Sequence, residues 1–241
     1  MRFSPCLSIL GLTIIRDRSV KFVQFRDSTR TMPAGKLVCL GRNYAEHAKE
    51  MKAEVPSAPI LFLKPSTALL APGGKILLPS FSHELHHEVE MVVLIGTEGK
   101  QIPRDRAMAY VAGYAIGLDM TLRDVQAEAK KKGLPWSVAK GFDTSAPLSP
   151  FVEPRLVPDP HNLAISLKVN GVFRQQSNTR HMLFRVEDMI SYISTVFTLE
   201  PGDMIFTGTP EGVGQVMPGD TLEAGLASVG TLTVTVGRAG E

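Results

Sequence analysis

His86-His87-Glu88-Val89-Glu90-Met91-Val92-Val93-Leu94-Ile95 sets two acids one residue apart at the mouth of an unbroken apolar run. Such a run reads as a strand entering a core. Alternate side chains then point to opposite faces, so Glu88 and Glu90 share one face while Val89 and Met91 share the other. Neighbouring carboxylates repel unless water or a cation separates them. A solvated strand face also accommodates such a pair. The apolar run that follows makes a site for a hard cation the sharper reading.

Other apolar runs of strand length occur at Leu37–Leu40, Ile60–Leu63, Val111–Leu118, Leu163–Val169 and Met204–Phe206. Asn170-Gly171, between Ile165–Val169 and Val172–Gln175, is a two-residue hairpin signal. Helical stretches are fewer: Tyr44–Met51, Leu122–Lys132 and Val186–Phe197. The 17 prolines and 21 glycines imply many turns. Strands dominate without regular strand–helix alternation, which argues against a doubly wound parallel sheet and for a β-rich α+β fold. No linker or repeat divides residues 34–241, which are expected to form one catalytic domain, with residues 1–33 as an amino-terminal extension of uncertain role.

That extension shows no coherent strand or helix pattern. Cys6 to Ile15 is apolar but too short to span a bilayer, and Arg16, Asp17 and Arg18 follow where a signal peptide needs small residues. Arginines at 2, 16, 18, 26 and 30 fit a mitochondrial transit peptide, against which Asp17 and Asp27 count. A cytoplasmic protein is the simpler expectation, with the mitochondrial matrix as the alternative and no membrane association. A net charge of +2 and a single short lysine run, Lys130 to Lys132 at a helix end, give no nucleic-acid-binding face. Two cysteines, Cys6 and Cys39, are too few for a disulfide framework or a thiolate zinc site.

Asp119 ends the apolar run Tyr110–Leu118. It is placed either to cap the helix near Leu122 or to join Glu88 and Glu90. Three carboxylates without a thiolate suit Mg²⁺ or Mn²⁺. His86 and His87 adjoin these acids and read as supporting rather than ligating groups. In Gly41-Arg42-Asn43-Tyr44-Ala45-Glu46-His47-Ala48-Lys49-Glu50, His47 and Glu50 are one helical turn apart. A carboxylate beside an imidazole fixes its tautomer and strengthens it as a base for activating water, although exposed helix pairs share this spacing. Arg123 and Gln126 have the same spacing and can grip a substrate carboxylate, and Lys140 can stabilise developing negative charge. Thr207-Gly208-Thr209-Pro210-Glu211-Gly212-Val213-Gly214 lets backbone approach a small anion, but lacks the Gly-Lys-Ser/Thr ending of a phosphate-binding loop.

The order of these segments, together with Phe62-Leu63-Lys64-Pro65 and Lys130-Lys131-Lys132-Gly133-Leu134-Pro135-Trp136, resembles the fumarylacetoacetate hydrolase family from about Lys36 to Val236. The likeness is to its short acylpyruvate hydrolase branch. The resemblance implies a mixed β-sandwich roll that forms homodimers. It implies Glu88, Glu90 and Asp119 as ligands of Mg²⁺ or Mn²⁺, His47 and Glu50 as a catalytic dyad on a lid, and Lys140 as a charge-stabilising amine. Arg42, Arg123, Gln126 and Thr209 are then expected around a small 2-oxo acid substrate. The implied reaction is hydrolysis of the C–C bond of 3-acylpyruvates. The alternatives are oxaloacetate decarboxylation or keto–enol tautomerisation, and isomerisation or decarboxylation of aromatic-degradation 2-oxo acids.

Overall fold

The computed structural model describes residues 21–26 and 28–240. The apolar stretch from Cys6 to Ile15 and the arginines at 2, 16 and 18 lie outside them.

Two five-stranded sheets build the body. In the first, the order is Ile60–Lys64, Leu37–Gly41, Met204–Phe206, Val89–Ile95, Val111–Leu118. In the second, it is Val172–Asn178, Ala164–Val169, Thr221–Leu226, Gly230–Arg238, Lys75–Leu78. Both are mixed. Met204–Phe206 runs parallel to Leu37–Gly41 and antiparallel to Val89–Ile95, while Gly230–Arg238 runs parallel to Lys75–Leu78. The β-rich α+β fold expected from the sequence is therefore present, as a roll of mixed sheets.

The strand Val89–Ile95 is buried at every position because both faces of its sheet are covered. Met91, Val93 and Ile95 join Ile165, Leu167, Leu222 and Val234 of the second sheet in one core. Val92 and Leu94 face a second core with Leu37, Phe206 and Phe151. Val23 and Phe25 complete that second core, which corrects the expectation of a patternless extension. Phe22–Gln24 pairs with Thr31–Pro33, and Phe25 bridges to Phe151. The alternation that buries Val23 and Phe25 and exposes Phe22 and Gln24 is too short to stand out by periodicity.

The three expected helices are Ala45–Glu50, Arg123–Lys132 and Val186–Val196. Gly133, at φ 67, ends the second in the left-handed conformation that glycine adopts most easily. Asn170 and Gly171, at φ 51 and 78, make the expected tight hairpin. A smaller sheet, Thr121–Leu122 with Leu85–His87 and Gly214–Val216, ties the segments that carry the candidate site. No helix among the described residues is long and apolar enough to cross a membrane.

Candidate active site

Strand pairing sets the three acids side by side. Val89 is registered against Leu118 and Glu90 against Gly117, so Glu88 and Asp119 fall next to each other as the strands leave the core. The Asp119 N–H donates to the Glu88 carbonyl at 2.8 Å and fixes that spacing. Glu88, Glu90 and Asp119 are all buried, and one carboxylate oxygen from each lies within 4.8 Å of the others. Asp119 does not cap the following helix, which starts without a side-chain cap.

Each acid meets a different surrounding. Glu88 accepts from Arg123 Nη2 at 2.6 Å and from Lys140 Nζ at 2.8 Å. Burial opposes its charge, yet Lys140 and Arg123 outweigh burial and hold its carboxyl well below the usual range. Glu90 has no cation within ion-pairing distance among the described residues and accepts from the Gly208 N–H at 2.7 Å. Burial, then the Asp119 and Glu88 charges, push its carboxyl well above the ordinary value. Asp119 takes Lys140 Nζ at 2.5 Å on Oδ2 and has Lys64 Nζ 2.8 Å from Oδ1. The Lys64 hydrogen bonds go elsewhere, to the carbonyls of Met120, Lys140 and Ser145 and to the Ser145 hydroxyl. Asp119 Oδ1 therefore accepts no well-aligned hydrogen bond.

An all-oxygen donor set with a carboxyl strained toward its neutral form and an under-bonded buried oxygen fits a hard divalent cation. Glu88, Glu90 and Asp119 form that site.

Lys140 lies at the end of a one-turn helix, Ser137–Lys140, and is buried between two of the acids. Burial disfavours its charge, but Asp119 and Glu88 more than compensate and raise its ammonium above the ordinary value. Arg123 also donates to Gln126 Oε1 at 2.7 Å and lies 3.4 Å from His86 Nδ1, so Glu88, Gln126 and His86 hold the guanidinium from three sides.

His47 Nδ1 and Glu50 Oε2 are 3.3 Å apart on the helix Ala45–Glu50. His47 is buried, while the Glu50 side chain is 34% exposed. Both Glu50 oxygens accept from the Gly212 N–H, at 3.1 and 3.2 Å, which ties the helix to the Thr207–Gly214 segment. Gly208 needs its left-handed φ of 91 there, and an added Cβ would stand 2.7 Å from Asn43 Cβ. Arg42, His47, Glu88, Arg123, Gln126, Lys140 and Thr209 all line one cleft, so the residues singled out in the sequence converge.

The Thr209 side chain is already engaged within the protein. Its hydroxyl donates to the Val89 carbonyl at 2.9 Å and accepts from Gln175 Nε2 at 2.8 Å. The only hydroxyl proton is thus used, whereas the Thr209 backbone N–H has no partner among the described residues.

Lys64 and Gln175 carried no role in the sequence reading. The Lys64 side chain is wholly buried behind Asp119. Gln175 Oε1 accepts from the Val89 N–H at 3.0 Å and from His87 Nδ1 at 3.1 Å, joining the acid-bearing strand to the Thr209 loop. For Lys64, its place between an apolar strand and a proline was a usable signal. Gln175 sits on a polar strand with no such mark.

A mixed-sheet roll that gathers three buried carboxylates, two cations and a His–Glu pair in one cleft defines a divalent-metal enzyme. Residues 36–237 match the family described as fumarylacetoacetate (FAA) hydrolase C-terminal, and the chain belongs to that family. The chain is 54% identical over 202 residues to the mitochondrial oxaloacetate tautomerase FAHD1 of Mus musculus, covering 84% of this chain and 91% of that protein. The Arabidopsis thaliana protein of the same name is 49% identical over 203 residues, again covering 84% and 91%. Fumarylpyruvate hydrolase from Pseudomonas aeruginosa, solved with Mn²⁺ and pyruvate, superposes with a TM-score of 0.89 at 38% identity, covering 93% of this chain and 99% of that one.

Proposed function

We propose that the protein is a Mg²⁺- or Mn²⁺-dependent oxaloacetate keto–enol tautomerase. Hydrolysis of 3-acylpyruvates, the first expectation from the sequence, is proposed as a second reaction of the same cleft. The observation that carries this reading is the convergence of the acid triad, Lys140 and the His47–Glu50 pair. The names of the mouse and Arabidopsis relatives support the tautomerase. The Pseudomonas structure, a fumarylpyruvate hydrolase holding pyruvate, supports the hydrolase.

Glu88, Glu90 and Asp119 would hold the cation, which when bound supplies Lewis acidity that eases negative charge onto the 2-oxo oxygen. Lys140 adds a fixed positive charge beside the same oxygen. Arg123, Gln126 and the Thr209 N–H orient the adjacent carboxylate, with the Arg123 guanidinium already positioned by Glu88 and Gln126. With Nδ1 directed to Glu50, His47 keeps Nε2 free as the working base. In tautomerisation, Nε2 removes a proton from C3 of the keto form, and a proton is delivered to the 2-oxo oxygen. In hydrolysis, Nε2 takes a proton from water as its oxygen adds to the distal carbonyl. The C–C bond then breaks, its electron pair passes to the 2-oxo group, and the pyruvate enolate so formed takes the proton from His47 at carbon.

Product analysis tests both reactions: oxaloacetate and acetylpyruvate are each supplied with and without Mg²⁺. Metal-dependent tautomerisation of the first is expected. Turnover of neither compound would remove the reading.

We also propose a homodimer, supported by the neighbouring exposed apolar residues Leu63, Leu134 and Val138; light scattering at twice the chain mass is expected. For location, the names of the relatives, which read mitochondrial, support a mitochondrial protein, and a reporter fused to residues 1–33 tests it.

A further inference from the structure

The floor of the cleft is internally matched in charge. Arg123 and Lys140 face Glu88, while Lys140 and Lys64 face Asp119. Two more cations, Arg42 and Lys130, line the same cleft, and no carboxylate lies within ion-pairing distance of either among the described residues. Two residues along the helix, Lys132 shows the ordinary solution, pairing with Glu128 at 2.8 Å. Lys130 instead lies over the Trp136 ring, 5.2 Å from its centroid. A ring face steadies the stem and the charge but accepts no ordinary hydrogen bond, so the ammonium keeps its donors. Burial, then the charges of Arg123, Arg42 and Lys140, lower the proton affinity of Lys130, which shows that these cations feel one another.

Arg42 stands in an unusual backbone state. Its φ is 60, a left-handed conformation that costs a bulky residue about 1–3 kcal/mol. The next residue fixes the bend: Asn43 Nδ2 donates to the carbonyls of Thr207 at 2.8 Å and Phe184 at 3.1 Å, and Oδ1 accepts from the Phe184 N–H at 2.7 Å. A strained residue held by a buried amide and lining a cleft is positioned, not left over.

We infer that Lys130 and Arg42 form a second carboxylate subsite, so that the preferred substrate is a 2-oxo dicarboxylate whose far carboxylate sits against Lys130. This rests on the 2-oxo acid reading above and adds a specificity-determining residue to it. The acid triad and its cation take the 2-oxo acid end; Lys130 and Arg42 supply the positive charge that a second carboxylate neutralises. A chain ending in a methyl group, as in acetylpyruvate, leaves both cations unpaired.

The test is steady-state kinetics of the full-length protein at saturating Mg²⁺ with oxaloacetate and acetylpyruvate. The readout is the ratio of kcat/KM for the dicarboxylate to that for the monocarboxylate. Loss of a charge-assisted hydrogen bond predicts that Lys130→Met lowers this ratio roughly 10- to 100-fold, chiefly through KM for oxaloacetate. Lys130→Arg should restore most of it, Lys130→Glu should lower it further, and Lys132→Met should leave it at the parent value. Equal proportional losses on both substrates in Lys130→Met, or no loss, would overturn the subsite while leaving the proposed function standing. A parent that turns over neither compound removes both.

Discussion

Lys64→Met keeps most of the volume of a side chain that is 0% exposed but deletes its ammonium. Three carbonyls, one hydroxyl and Asp119 Oδ1 lose the Lys64 ammonium at once, while Lys140 still holds Asp119 Oδ2. Breaking a buried pair by removing one member costs about 3–5 kcal/mol; here the cost falls on Asp119 Oδ1 and on the carbonyls that surrounded the ammonium. At roughly 2–4 °C per kcal/mol for a chain of this size, the melting temperature should fall by about 6–20 °C. The assay is calorimetric or fluorescence melting of parent and variant, each after chelation and again with saturating Mg²⁺. Because the cation gives Asp119 a new partner, Mg²⁺ should raise the variant's melting temperature by more than the parent's. A fall of less than about 3 °C after chelation, from less than the lower bound of that cost, would refute the picture of Lys64 as the buried counter-charge. So would a metal response no larger than the parent's.

Glu50→Gln should lower acylpyruvate hydrolysis by roughly 10²–10⁴-fold, the usual cost of losing a positioned base, with Mg²⁺ affinity by calorimetry nearly unchanged. Any oxaloacetate decarboxylation should fall less, and equal losses would instead make the dyad a latch for the helix Ala45–Glu50. Glu90, whose carboxyl is raised by burial and its acidic neighbours, favours the metal-free fold while protonated. That contribution is complete below the ordinary carboxylate value and is lost as pH rises through the higher folded value. Metal-free Glu90→Gln should therefore melt above the metal-free parent at neutral and alkaline pH, with the gap closing in acid; a gap independent of pH would rule this out. A chain starting at residue 21 should keep its melting temperature and rate. A chain starting at residue 34 should lose stability, since Val23 and Phe25 each contribute about 1.5–3 kcal/mol by burial. Equal melting of the two truncations would show that the hairpin packing contributes nothing.

The acids were legible because strand alternation is a short-range rule. Glu88 and Glu90 sit two residues apart on a strand whose apolar continuation announces burial, and Asp119 ends the neighbouring apolar run. The Asn170-Gly171 turn and the three helices rest on equally local signals. Lys140 was placed by family resemblance, since a one-turn helix has no readable period. Lys64 escaped because charge normally marks solvent, a rule that outweighs its place between an apolar strand and a proline; only the packing of three carbonyls around its ammonium shows otherwise. Gln175 reaches the site from the second sheet, a contact of long sequence separation that no local pattern encodes. The amino-terminal hairpin was missed because three-residue strands offer too few alternations to distinguish from chance.

The most direct measurement is the decay of enol-oxaloacetate absorbance on mixing with the chelated protein, then with the same protein after Mg²⁺ is restored, alongside Asp119→Asn. Acceleration over the uncatalysed rate is expected in the Mg²⁺-restored parent, with little in the chelated parent. Asp119→Asn, still folded by melting, should show little at any Mg²⁺ concentration that saturates the parent. Undiminished acceleration after chelation, or in Asp119→Asn, would contradict a metal-dependent tautomerase built on Glu88, Glu90 and Asp119.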